Sequence, residues 1–155
     1  MSIEKSVKAV EVVALEMDDP VVLDETTPVK DVVRRMREAQ YGCALISRSG
    51  KLCGIFTERD VLNKVIGVDN VLDLPVSRLM TPDPVSVHEN DPIRKAAFAM
   101  HRGGFRNVPV VDSEGRVVSC VRHKDIVHFL VEYFAQHVLN LPPDPAKMPS
   151  TPEGG

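Results

Sequence analysis

The apolar positions of the chain follow two spacings, and their alternation occurs twice. Val29, Val32, Val33 and Met36 recur as one face of a helix, backed by the polar Lys30, Asp31, Arg34, Arg35 and Arg37. Ile93, Ala96, Ala97 and Met100 draw the same stripe further on. A short extended element precedes each helix, Val21-Val22-Leu23 and then Val85-Ser86-Val87. Thr27-Pro28 and Asp91-Pro92 each read as an N-cap followed by a proline at the first helical position. Two nearly continuous apolar runs follow each helix: Cys43 to Ile46 with Lys51 to Phe56, and Val108 to Val111 with Arg116 to Val121. Such runs predict hairpin strands buried on both faces, turning at Gly50 and Gly115, where a tight loop commonly needs positive φ. A second helix closes each unit. Thr57-Glu58-Arg59-Asp60 has the spacing of an N-terminal capping box, with Val61, Leu62, Val65 and Ile66 behind it. Its counterpart runs from about Lys124 to Leu139 and carries Ile126, Val127, Phe129, Leu130, Tyr133, Phe134 and Val138.

This recurrence is an internal repeat. Asp19-Pro20-Val21 returns as Asp83-Pro84-Val85, Pro28-Val29 as Pro92-Ile93, and Met36 as Met100. Past the stretch from His101 to Gly104 the offset grows by one, so that Ala44-Leu45-Ile46 meets Pro109-Val110-Val111 and Asp60-Val61 meets Asp125-Ile126. The expected fold class is α/β in the α+β sense: two tandem βαββα repeats packed with pseudo-two-fold symmetry, because units this small bury their own apolar faces poorly. The expected divisions are a first repeat at 10–66, a linker at 67–80, and a second repeat at 81–139 with an extended final helix. Residues 140–155 are rich in proline, lack apolar periodicity and read as a disordered tail. The surplus of apolar side chains on the last helix predicts a partner chain, and a homodimer is expected.

With 43% hydrophobic and 26% charged residues and a formal net charge of −3 over 155 residues, a specific nucleic-acid partner is not expected, and a small ligand or a protein is. No apolar run reaches the roughly 20 residues needed to cross a bilayer. The charged start, with Glu4, Lys5, Lys8, Glu11 and Glu16, has no secretory pattern, and a cytoplasmic protein without membrane contact is expected. Cys43, Cys53 and Cys120 lie in apolar runs without CxxC spacing, as reduced core residues would, and no metal site is expected. The five histidines form no HExxH pair, and neither a GxSxG elbow nor a Walker loop is present, so no enzymatic activity is expected.

The duplicated order, with Gly54-Ile55-Phe56-Thr57-Glu58-Arg59-Asp60 in one unit and Val108-Pro109-Val110-Val111-Asp112 in the other, resembles the cystathionine-β-synthase (CBS) domain family, whose members occur as tandem pairs called Bateman modules. The segment Val138 to Pro143 looks like that of small stand-alone bacterial members. The resemblance implies a sensor or regulator that binds AMP, ADP, ATP or a related adenosyl compound between the repeats, holds no prosthetic group and often dimerises into a disc. It also implies that the closing aspartate binds the ribose hydroxyls while the Thr or Ser before it helps hold phosphate. Those positions are Thr57 and Asp60 in the first repeat and Asp125 in the second.

The residues themselves leave two readings open. An ionised Asp60 is acceptor-only and suits two ribose hydroxyls, yet its spacing from Thr57 also makes it the acid of a capping box. A helix start with free N–H groups serves either purpose. The second repeat reads Ser119-Cys120-Val121-Arg122-His123-Lys124-Asp125, with the glycine replaced by Ser119 and the threonine by Arg122. Either Arg122, His123 and Lys124 bring positive charge that favours a di- or triphosphate over AMP, or the site is inactive and the basic trio is a solvated helix start. Arg106 and Asn107, at the mouth of the strand that opens at Val108, are candidate cleft residues, and Tyr41 is a candidate neighbour of an adenine. The expected function is an adenine-nucleotide-binding regulatory module that acts on a separate regulated protein. The alternative is a ligand-free dimerisation or protein-interaction module.

Overall fold

The structure, a computed structural model, describes residues 2–137 and 139. The chain opens with helix α1 (Ile3–Lys8) and a 3-10 turn at Val12–Ala14. The first unit then runs through β1 (Val22–Asp24), α2 (Val29–Ala39), β2 (Cys43–Arg48), β3 (Lys51–Thr57) and α3 (Glu58–Asp60), which a π-turn prolongs over Val61–Val65. After a 3-10 turn at Val76–Arg78 come β4 (Thr81–Pro82), β5 (Val87–His88), α4 (Ile93–Gly103), β6 (Asn107–Val111), β7 (Val117–Arg122) and α5 (His123–His137). In both units the first strand pairs parallel with the second and the second antiparallel with the third, in the orders β1-β2-β3 and β5-β6-β7. Strand β4 extends the first sheet only, opposite Gly54 and Ile55. The expected pair of mixed α and β repeats is present.

Two of the four apolar runs become strands buried without alternation, Cys43 to Ile46 and Val108 to Val111, as strands covered on both faces must be. The other two are buried only in their second halves, Gly54 to Phe56 and Cys120 to Arg122, and Val118 is exposed. Ser49 and Gly50, with φ of 51° and 79°, turn the first hairpin, and Gly115, with φ of 79°, serves the second. The helix starts differ from expectation. Pro28 and Pro92 are themselves the extended residues before α2 and α4, and neither helix has a side-chain cap there. Their first N–H groups bond to distant backbone instead: Val29 N to Leu74 O, Lys30 N to Leu72 O and Ile93 N to Val10 O. Thr27 gives its carbonyl to Val76 N, and Asp91 turns its carboxylate to His88 N and Lys95. Tertiary carbonyls satisfy the orphan donors that a local cap would otherwise take.

The same two segments cross between cores. Val12 and Leu15, ahead of the first unit, pack with Val87, Ile93, Ala96, Val108 and Val121 of the second. Val71, Val76 and Leu79, between the units, pack with Val29, Val32, Leu45 and Phe56 of the first. Each such burial stabilises by about 1.5–3 kcal/mol, so each unit's fold depends on chain that precedes the other. The units also touch directly. Leu52 N donates to Gly115 O at 3.0 Å, and the buried thiols of Cys43 and Cys120 lie 4.0 Å apart. On α5, Ile126 is buried and Phe129 and Leu130 flank the second core, whereas Val127, Val131 and Phe134 stay exposed. Arg34 and Arg35 pair with Asp31 and Glu38 on their own helix. Val138 and the tail expected at 140–155 lie outside the described residues.

Candidate functional site

At the end of β3, extended Thr57 turns the chain into α3, and the capping box read from the sequence forms. The Asp60 carboxylate accepts from Thr57 N at 2.9 Å and Thr57 Oγ1 at 3.1 Å, while Asp60 N donates to Thr57 Oγ1 at 3.3 Å. Lys64 Nζ stands 2.8 Å from the other carboxylate oxygen and also donates to Leu79 O. Asp60 is buried. Gly54 has a steric purpose here: a Cβ on it would lie 2.2 Å from Met80 Sδ, so the glycine lets the linker close over β3. In the second unit the corresponding Ser119 instead has Met17 Sδ 3.6 Å from its hydroxyl.

The second unit keeps half of the box and rebuilds the rest around a guanidinium. Asp125 accepts from Arg122 N at 2.8 Å, the contact that Thr57 N makes with Asp60. Where a threonine hydroxyl would sit, the Arg122 side chain folds back, donating from Nε and Nη2 to Asp125 at 3.1 Å each. Nη2 also donates to Asp18 at 2.7 Å, and the guanidinium carbon lies 4.5 Å from the centroid of the Tyr41 ring in the first unit. Burial opposes the Arg122 charge, but the hydrogen bonds to Asp125 and Asp18 outweigh it and raise its pKa further. The hydrogen bond from Arg122 in turn holds the Asp18 carboxyl below the usual aspartate range. Tyr41 is buried, its hydroxyl has no hydrogen-bond partner among the described residues, and burial pushes its pKa up.

Two adjoining clefts lie beside Asp125. The larger, about 740 Å³, is bounded by Glu16, Met17 and Asp18 on one side and by Arg122, His123, Lys124, Asp125 and the α5 residues Val127, His128 and Val131 on the other. The smaller, about 190 Å³, continues past Glu16 and Asp125 to Phe129, Glu132 and Tyr133. Among the candidates read from the sequence, Arg122, Lys124 and Asp125 therefore meet at one cleft. Thr57, Asp60, Tyr41, Arg106 and Asn107 line neither of these two. Arg106 is exposed and accepts His123 N through its carbonyl at 2.8 Å, and Asn107 pairs with Arg122 in the β6–β7 register, so both set the start of α5. Sequence reasoning missed Glu16, Met17 and Asp18. Their one signal is their place just ahead of the repeated Asp-Pro-Val, which says nothing of the other unit's helix.

A family model described as the CBS domain matches residues 10–67 and again 76–132. The chain belongs to the CBS domain family. The CBS domain-containing protein CBSCBSPB1 of Arabidopsis thaliana is 38% identical over 115 residues, which are 72% of this chain and 20% of that protein. An uncharacterised 17.7 kDa protein of Acidianus ambivalens is 28% identical over 72% of this chain and 67% of its own length. The chain spans about a fifth of the length of the first plant relatives it matches. Among solved structures, a CBS domain protein of Pyrobaculum aerophilum complexed with AMP superposes with a TM-score of 0.71 at 27% identity, covering 80% of this chain and 98% of that one. A CBS domain-containing protein of Thermotoga maritima, 24% identical with a TM-score of 0.70, covers 80% and 96% and shares the fold. Among the described residues, no helix of this CBS pair is long and apolar enough to cross a membrane.

Proposed function

We propose that this CBS pair is a non-catalytic regulatory module that binds an adenine nucleotide in the cleft beside Asp125. The observation that carries the reading is the convergence of Asp125, Arg122, Lys124 and His123 on a cleft of about 740 Å³, a size typical of small-molecule sites. The similar protein of Pyrobaculum aerophilum is complexed with AMP, which supports the ligand class. Asp125 accepts three bonds from Arg122, two of them on Oδ2, and keeps room on Oδ1 for one ribose hydroxyl. Arg122 and Lys124 meet the phosphates, and their charge favours ADP or ATP over AMP. Thr57 and Asp60 form the equivalent position of the first unit, with Tyr41, Arg106 and Asn107 as supporting residues. A bound nucleotide would change how the segment 16–18 sits against α5, and a regulated protein reading that placement would receive the signal.

Calorimetry of the purified chain with AMP, ADP and ATP tests the reading. Binding that Asp125→Ala weakens at least tenfold is expected, as about 1.4 kcal/mol of lost contact would produce. No heat at millimolar nucleotide overturns it. One observation favours a second reading, a ligand-free dimerisation module: Arg122 and Asp125 already satisfy each other's charge. Homodimer formation through the exposed Phe134 belongs to both readings, whereas Val127 and Val131, also exposed, line the cleft and are free for a dimer only in the second. A cytoplasmic setting fits the free thiols of Cys43 and Cys120, which are buried in the core, and the free, half-buried thiol of Cys53.

A further inference from the structure

The two carboxylates that hold Arg122 differ in kind. Asp125 has a side-chain exposure of 6% and is fixed to the backbone at the start of α5; Asp18 is 73% exposed and comes from the irregular segment ahead of β1. Both take a hydrogen bond from the same Nη2, and Asp18 and Lys124 line the same cleft. An exposed carboxylate on a guanidinium is a weak and readily exchanged partner, whereas a phosphate offers the same fork more acceptor oxygens and more negative charge.

Resting on the nucleotide reading of this cleft, we infer that Asp18 is a built-in competitor for the ligand's phosphate, occupying Arg122 without ligand and leaving it when a phosphate arrives. Asp125 keeps Arg122 aimed throughout, so exchange at Nη2 requires no rearrangement of the buried pair. Asp18 therefore sets a threshold that rises or falls with ligand charge: a ligand lacking phosphate has nothing to offer Arg122 and leaves Asp18 in place. The exchange also acts on the crossing segment, because Val12 and Leu15 anchor it in the second core and β1 begins in the first sheet at Val22. Displacing Asp18 loosens the stretch that joins the two.

Titration calorimetry of the whole chain and of Asp18→Asn with ATP, ADP, AMP and adenosine tests this. Losing one exposed pairing charge should tighten ATP by about two- to fivefold and AMP by less, and leave adenosine unchanged. Thermal denaturation without ligand should show both proteins folded. If the variant binds all four compounds as the parent does, changes them equally, or weakens ATP, the competitor role is wrong while the nucleotide reading stands. If neither protein binds any of the four, that reading fails and Asp18 has nothing to compete with.

Discussion

Asp125→Ala tests the buried centre of the second unit before any ligand is considered. The substitution removes the acceptor of Arg122 N at 2.8 Å and of Nε and Nη2 at 3.1 Å, and leaves a guanidinium whose side chain is only 10% exposed. Taking one partner from a buried ion pair costs about 3–5 kcal/mol. Asp18 and the Tyr41 ring still face the guanidinium, so the expected loss is at the lower end, about 3 kcal/mol. At about 2–4 °C per kcal/mol for a chain of this length, Tm should fall by about 6–12 °C. Urea denaturation with an unchanged m-value gives the equilibrium figure. In an Arg122→Met background the same substitution should cost about 1 kcal/mol or less, since only the bond to the backbone N remains to be lost. A loss under about 1 kcal/mol in the parent chain, the level of an exposed pair, would refute the claim that this pair is buried and coupled. Additivity of the two substitutions would refute it as well.

Burial favours the neutral Tyr41 phenol, so its contribution is fully present below the unfolded tyrosine pKa of about 10 and is lost as pH rises toward the higher folded value. Denaturation midpoints between pH 9 and 11 should fall less in Tyr41→Phe than in the parent, and equal slopes would contradict this. Asp91 is held low by the His88 N–H first and by Lys95 second, so its contribution is present above the ordinary aspartate value and disappears as pH falls through the depressed one. Asp91→Asn should flatten the acid limb of stability below about pH 4; superimposable limbs would sink that account. Gly54→Val forces Met80 aside and should cost about 1–3 kcal/mol by overpacking. The cost should shrink in a Met80→Ala background, and an equal cost there in chemical denaturation would mean that Met80 is not the obstacle.

Local physics made most of the fold legible in the sequence. The stripe from Val29 to Met36, the unbroken apolar strands, the glycine turns and the Thr57–Asp60 box each need only neighbours in the chain, and each forms. Their duplication then carried the family. The starts of α2 and α4 were misread because the donors there are satisfied by carbonyls from far along the chain, which no local pattern reports. The candidate site was half legible for the same reason. Arg122 and Asp125 are three residues apart on one helix start and could be paired on paper. Asp18 and Tyr41 reach Arg122 only because the halves pack face to face and the preceding segment crosses to the second core. Residue spacing determined the elements and the chemistry available at their ends; long-range packing alone decided which of those ends share a cleft and which charge each one meets.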